Sequence, residues 1–420
     1  MRSILGFVVV VGLVACSVEG KGFEANYDET KIPKYSLPDP LVMADGTKVV
    51  SAEQWRLQRR GEILDLFKKH VYGAMPPAMR IAHVERDSFI EDALGGKARL
   101  LQESFYFKKD RSGPKIDVCV FLPPKSKKVK SYPAFLALNF FGNHTISTDE
   151  NIRMYTGHAR LKPGRGGRGT KWAIEDIVGR GYALVTACYN NFDIDQRIEG
   201  PKFDDGVHLL YPEYQGRSDN WTSIGAWAWG MSRILDYLED LEFVDAERVV
   251  AMGHSRLGKT ALWAGATDQR FALVISNNSG CGGAALARRR IGESVWRINT
   301  SFPHWFCAKH KEYNDNENAM PVDQHMLISL IAPRPVYVAS AVGDKWADPR
   351  GEFLSCVGAD AVYKLLNTSG LASHTMPEIE KPLVGTINYH LRNGKHDVTK
   401  YDWAQYLDFA DRYLKQHGLK

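Results

Sequence analysis

The chain has 420 residues, of which 44% are apolar and 25% charged, with a formal net charge of +5. That balance is the ordinary one for a globular protein with a sizeable core, and the length leaves one large domain or two medium ones open. The charge is mild and no long basic run occurs; Lys125-Ser126-Lys127-Lys128 and Arg288-Arg289-Arg290 read as solvated surface, which argues against nucleic acid as a partner and merely permits an anionic substrate.

At the N-terminus, Arg2 precedes an apolar run, Ile4 to Val14, too short to span a bilayer and stay there. Residues 1–20 therefore read as a secretory signal peptide. Its end, Leu13-Val14-Ala15-Cys16-Ser17, is similar to the bacterial lipobox, where the cysteine is lipidated and becomes the mature N-terminus. The alternative is ordinary cleavage near Gly20, with Cys16 discarded. A secreted or periplasmic location is expected either way, as an outer-membrane lipoprotein if Cys16 carries a lipid; that anchor is the sole membrane tie expected. The other cysteines, Cys119, Cys188, Cys281, Cys307 and Cys356, form no C-x-x-C pair, which speaks against a zinc knuckle or dense disulfide framework. Their odd number leaves at least one thiol unpaired, and Cys119 and Cys188 lie in apolar runs as buried small hydrophobes.

Residues 21–50, punctuated by Pro33, Pro38 and Pro40, form a surface-hugging lead-in. Ala52 to Tyr72 has helical spacing (Trp55, Leu57, Ile63, Leu64, Leu66, Phe67), and two strand-like segments follow, Ala98 to Phe107 and Ile116 to Leu122. Short, nearly continuous apolar runs then alternate with helices: Ala134–Leu138, Ala183–Ala187, Val249–Met252, Leu273–Ser276 and Val336–Ala339, with helices around Trp172–Gly179 and Ile224–Leu241. Fully apolar strands between helices mean a parallel sheet covered on both faces, an α/β three-layer sandwich with a mostly parallel central sheet. The strands run across too much chain for a second independent domain, so residues 51–420 are read as one domain. The excursion from Gly280 to Pro321, rich in aromatic and charged residues, is where a cleft above the sheet is expected.

The sharpest motif is Met252-Gly253-His254-Ser255-Arg256-Leu257-Gly258-Lys259. It follows an apolar strand and precedes a helix over Thr260 to Ala266, the setting of a strand-to-helix turn that lifts a serine hydroxyl above the sheet. The pattern departs from the common one, since the second glycine comes one residue late. A serine that merely caps a helix is the bland alternative. The helix N-terminus sets backbone N–H groups beside the reacting centre.

A serine needs a base, and in this arrangement an acid after a late strand and a histidine near the C-terminus follow the nucleophile. The strand at 336–341 leads into Val342-Gly343-Asp344-Lys345-Trp346-Ala347-Asp348-Pro349; Asp344 is the favoured acid, with Asp348 a turn residue and competitor. His396, in Asn393-Gly394-Lys395-His396-Asp397 before a final helix over Trp403 to Leu414, is favoured as base over His374 and His390.

The run GHSRLGKTALWAGA resembles the nucleophile region of carbohydrate esterase family 15, the glucuronoyl esterases. SNNSGCGGAAL (276–286), FPHWF (302–306), PVDQH (321–325), DKWADP (344–349) and GKHDVTKYDW (394–403) extend the resemblance from about residue 130 to the C-terminus. It implies an α/β-hydrolase fold, no metal and no cofactor. The implied substrate is an ester of (4-O-methyl-)glucuronic acid, joining glucuronoxylan side chains to lignin alcohols. It also implies Ser255 as nucleophile, His396 as base and Arg256 as oxyanion-stabilising residue, a role that suits a guanidinium beside the nucleophile. Lys259, Glu293 and Trp346 resemble sugar- and uronate-contacting positions, although an exposed helix lysine and a tryptophan in an apolar pocket are the plain alternatives. Trp305 and Gln324, with His304, are further cleft candidates.

Two departures stand out. Fungal members carry a glutamate acid where this chain has Asn278, so Asp344 must supply the charge. The cysteine flanking the nucleophile in fungal members is replaced by His254, so a disulfide pinning the catalytic histidine is not expected. A monomer is expected. The competing functions are an acetyl-xylan or other carbohydrate esterase on the same fold, and a surface glycan-binding protein that has lost activity.

Overall fold

The computed structural model describes residues 24–158, 162–196 and 203–415. The signal peptide and Cys16 lie outside the described residues. Nine strands form one sheet: β1 (His83–Asp92), β2 (Ala98–Tyr106), β3 (Lys115–Leu122), β4 (Tyr132–Ala137), β5 (Ala183–Ala187), β6 (Val244–His254), β7 (Leu273–Asn277), β8 (Val336–Ala341) and β9 (Ile387–Arg392), in the order β1-β2-β3-β5-β4-β6-β7-β8-β9. The β1-β2-β3-β5 edge pairs antiparallel, whereas β5-β4-β6-β7-β8-β9 is parallel throughout.

Successive side chains of a strand face opposite sides, and here both sides are apolar. Val249 and Ala251 of β6 join one core with the helices Ser223–Glu239 and Arg256–Thr267, while Val250 and Met252 join the other with Trp403, Tyr406 and Leu407 of the helix Lys400–Ala410. The α/β three-layer arrangement read from the apolar runs is therefore present. The lead-in lies along this body: Glu29 pairs with Arg289, and the Pro38 carbonyl accepts from His325 at 2.8 Å. The five described cysteines are buried free thiols.

The boundaries of the sequence reading shift in two informative places. β1 was not anticipated because its residues, HVERDSFIED, are largely half-exposed at a sheet edge. β9, at the other edge, was missed for a different reason: Asn388, His390 and Arg392 are all buried, so polar residues interrupt the apolar pattern of a buried strand.

At the end of β6 the chain turns into a helix within one residue. Gly253 makes this turn sterically possible, since a Cβ there would lie 1.8 Å from the Leu257 carbonyl oxygen, against backbone that has no room to move. Gly253→Ala is expected to cost about 3 kcal/mol or more in urea unfolding, or to prevent soluble accumulation; an unchanged midpoint would contradict this packing.

Candidate active site

Ser255 sits on that turn with φ 59 and ψ −129, a backbone conformation that non-glycine residues rarely adopt. Its amide donates to the Asn277 carbonyl at 2.9 Å, which anchors the turn to the end of β7. The side chain opens into two cavities that also share Arg256 and His396.

Asp344 leaves β8 and His396 leaves the loop after β9, and the two meet: His396 Nδ1 donates to Asp344 Oδ2 at 2.6 Å. Asn278, at φ 47 beyond β7, donates Nδ2 to the same oxygen at 2.7 Å. The amide thus supports the carboxylate rather than replacing it. Burial alone would raise the Asp344 pKa, but the bonds and charge from His396 and the bond from Asn278 outweigh it and hold the carboxyl below its usual range. Ser255 and His396 share the cavity walls but no hydrogen bond joins them; such contacts often tighten only with substrate bound.

The competing residues are committed elsewhere. Asp348 accepts from Arg289 Nε at 2.8 Å and from the Gly351 amide at 2.9 Å, capping the helix Pro349–Leu365. His390 is fully buried between Asp402 and Tyr337, and His374 pairs with Asp360.

Arg256 is fixed from below by Asp195, a residue the sequence reading did not single out. Asp195 accepts from Arg256, from Tyr189 Oη at 2.9 Å, from His304 Nε2 at 2.7 Å and from Trp305 Nε1 at 2.8 Å. Burial would raise its pKa; His304, Arg256 and Trp305 prevail and keep it ionised. The guanidinium also lies 4.6 Å from the Trp305 ring centroid and 5.4 Å from that of Phe302, so aromatic faces collar it. Trp305 therefore lines the cavity and carries Arg256 at once.

The cavity of about 370 Å³ beyond Arg256 is bordered by Lys259, Glu293 and Trp346. Lys259 is not an exposed helix lysine: its side chain is 4% exposed, donates to the Ser279 carbonyl and lies 3.9 Å from Glu293. Burial lowers the Lys259 pKa and raises that of Glu293, each effect partly offset by the other's charge. Trp346 donates to the Glu293 carboxyl and remains 37% exposed. Gln324 belongs elsewhere. It is buried, donates to the Gly283 carbonyl at 2.5 Å and borders neither cavity, so the cleft position expected of it is corrected to a core one.

Beneath the site lie three groups with little sequence signal. Glu352, fully buried, accepts from the Ser279 and Gly280 amides at 2.8 and 2.9 Å and meets Ser340 Oγ at 2.5 Å. Arg392 binds Asp402 at 2.7 Å and donates to the carbonyls of Asn393, Lys395 and Asp397, the loop that carries His396. His254 donates Nδ1 to Asn277 Oδ1 at 2.6 Å, and burial first, then His396, push its pKa down to about 3, so it stays neutral beside the base. Among the described residues no cluster of His, Cys, Asp and Glu side chains could hold a metal ion.

Burial pushes the Glu352 pKa up to about 8 from an ordinary 4.5, and the Asp344 charge adds to the effect. Between those values the folded chain holds a proton that the unfolded chain has lost, so this contribution to stability is complete at low pH and fades as pH rises through about 8. Glu352→Gln keeps a neutral acceptor toward Ser279 and Gly280 and a donor toward Ser340. Its melting temperature is expected to fall less than that of wild type between about pH 5 and pH 8; parallel curves would show that Glu352 is ionised in the fold.

Comparison with known proteins places this geometry. Residues 174–367 match a family model described as glucuronyl esterase of fungi. The chain is 47% identical over 409 residues to the carbohydrate esterase MZ0003 of an unknown prokaryotic organism, covering 94% of this chain and 93% of the relative. It is 28% identical over 322 residues to the 4-O-methyl-glucuronoyl methylesterase of Podospora anserina, covering 74% of this chain and 56% of that one. The structure of the glucuronoyl esterase from Solibacter usitatus matches with a TM-score of 0.86 at 42% identity, covering 92% of this chain and 100% of the other. With its α/β-hydrolase fold, the chain belongs to carbohydrate esterase family 15 and is an esterase of the glucuronoyl type.

Proposed function

We propose that this enzyme hydrolyses esters of (4-O-methyl-)glucuronic acid, of the kind that join glucuronoxylan to lignin, through a covalent acyl-enzyme on Ser255. The observation that carries the reading is the placement of the buried Lys259–Glu293 pair and the Trp346 face in the cavity that also holds Ser255 and His396. A polyhydroxylated ring can exchange its water for these charged partners and rest on an indole, whereas a plain acetyl group would leave them unused.

In this scheme His396 takes the proton of Ser255 as Oγ attacks C6 of the uronate ester, and Asp344 stabilises the imidazolium that forms. Arg256 and the N–H groups at the start of its helix meet the oxygen that becomes negative. Collapse breaks the C6–O bond, and the proton returns from His396 to the departing alcohol. Water, deprotonated by His396, then attacks the acyl carbon, and Ser255 Oγ recovers its proton as the acid is released.

Ser255→Ala is expected to abolish turnover of a glucuronate benzyl ester, and Asp344→Asn to lower kcat by about 10³- to 10⁴-fold. Near-normal kcat in Asp344→Asn would require another acid. Release of acetate from acetylated xylan without cleavage of any uronate ester would instead identify an acetyl esterase. Because Asp195 holds Arg256 in place, Asp195→Asn should lower kcat by about 10- to 100-fold with little change in KM; a rise in KM alone would mean that Arg256, or Trp305 held by the same carboxylate, binds ground-state substrate.

A further inference from the structure

Asn393-Gly394 is the single Asn-Gly pair of the chain, and Asn393 stands three residues before His396. Such a pair can react with itself, because the amide nitrogen of the next residue reaches the asparagine side chain and glycine sets no side chain in the way. Every other asparagine of the chain is followed by a residue that carries a side chain.

The loop after β9 favours this reaction in three ways. Both residues are exposed, so water can enter and ammonia can leave. Gly394 has φ 98, and its amide donates to Asn393 Oδ1 at 2.9 Å, so the nitrogen already lies beside the carboxamide that it would attack. The third concerns the reactivity of that nitrogen. A peptide nitrogen attacks as its anion, and the charge of the anion resides largely on the carbonyl oxygen of the same peptide group. Here that oxygen is the carbonyl of Asn393, which accepts from Arg392 Nη1 at 2.9 Å. Asp402 takes the Nε edge of the guanidinium at 2.7 Å and leaves Nη1 to the loop. Arg392 is buried, so solvent screens its charge little, and a cation on this oxygen favours the deprotonated amide as it would any ionised group.

We propose that Asn393 is a self-modification site whose isoaspartyl product disables the enzyme. The Gly394 nitrogen gives up its proton and bonds to Asn393 Cγ; the Cγ–Nδ2 bond breaks, and Nδ2 leaves with that proton as ammonia. Water then opens the resulting succinimide. Opening at Cγ gives aspartate. Opening at the backbone carbonyl carbon gives isoaspartate, in which the chain to Gly394 runs through Cβ and Cγ and is one carbon longer. The carbonyl that Arg392 grips then becomes a free carboxylate beside the main chain. The longer chain also displaces the Gly394 carbonyl, which accepts from the Gly343 amide at 2.9 Å, one residue before Asp344. Both partners of the His396–Asp344 bond thereby lose their setting. The loss of turnover rests on the reading of His396 as base; the modification itself does not.

The test holds the purified enzyme in mildly alkaline buffer below its unfolding temperature. It follows the mass of the peptide containing residue 393, its isoaspartyl content by labelling with an L-isoaspartyl methyltransferase, and turnover of a glucuronate benzyl ester as a fraction of the starting rate. The peptide is expected to gain the mass of amide-to-acid exchange, faster as hydroxide rises, with turnover falling in step with isoaspartate. Asn393→Gln, which would have to close a six-membered ring, should hold its own starting rate over the same period. Repair of the aged sample by the methyltransferase with S-adenosylmethionine restores the normal backbone, with aspartate at 393, and should return turnover. A peptide that stays unmodified in the folded enzyme while the urea-unfolded chain converts overturns the proposal. Conversion with undiminished turnover, or an equal loss in Asn393→Gln, overturns its functional half. A fresh enzyme that cleaves no uronate ester refutes the glucuronate reading instead, and the peptide mass still decides the modification.

Discussion

The placement of Ser255, Asn278 and Asp344 depends on how closely the ends of β6, β7 and β8 approach one another. At Gly253 the backbone has no space for even a methyl group, and a Cβ on Gly258 would lie 3.0 Å from the Ser279 Cβ. The Ser255 amide is tied to Asn277, and the Asn278 amide to Ala339 at 2.7 Å, so each strand end is stitched to its neighbour just where the chain leaves the sheet. Ser255 and Asn278 both hold positive φ at these stitches. Such conformations persist only where surrounding structure over-determines them, and here the lateral hydrogen bonds do so. Ser255 is therefore placed by the sheet rather than by the loops above it.

Buried carboxyls below and around the site are sorted by the number and charge of their donors. Asp195 has two cationic or potentially cationic partners, Arg256 and His304, and remains ionised. Asp344 has His396 and Asn278 and does the same. Glu352 meets only neutral donors and feels Asp344 as well, so its proton is retained. Two neighbouring carboxyls, Asp344 and Glu352, are thereby driven apart in acidity, one to carry charge and the other to brace backbone. The Lys259–Glu293 pair is the intermediate case. At 3.9 Å the attraction only partly offsets what burial costs each partner, which leaves both groups with capacity for substrate hydroxyls.

The parallel strands β4 to β8 were legible because each is an apolar run whose neighbours demand burial on both faces, whereas β9 is interrupted by buried polar residues. The Gly253–Gly258 segment was legible because the strand, serine and helix are contiguous. Asp344 and His396 could be narrowed by chain order, although their contact could not, since it spans 52 residues of sequence. Asp195 and Glu352 left no such trace. Asp195 lies in an irregular stretch with no motif, and Glu352 sits in the first turn of a helix, where an acidic residue has an ordinary reason to be. Gln324 shows the converse error: a polar residue in a distinctive segment looked like a ligand contact, but the backbone carbonyl of Gly283 is what it serves.

The histidine presents a different problem from the serine. Its side chain is 43% exposed, and its loop runs past the end of β9, where the Gly343 amide donates to the Gly394 carbonyl at 2.9 Å. The solution is a single buried guanidinium: Arg392, at the last position of β9, spreads its donors over the carbonyls of Asn393, Lys395 and Asp397. The planar fork of arginine makes this possible, because several carbonyls can be gripped at once by one rigid group. Its charge is matched by Asp402, which also accepts from His390 and Thr399 and faces Asn277 Nδ2 at 3.3 Å. Asn277 in turn holds His254, the residue before the nucleophile. The loop of His396 and the turn of Ser255 therefore share one buried hub. Backbone placement is settled there, and the His396 ring is in turn oriented by the bond from its Nδ1 to Asp344 Oδ2.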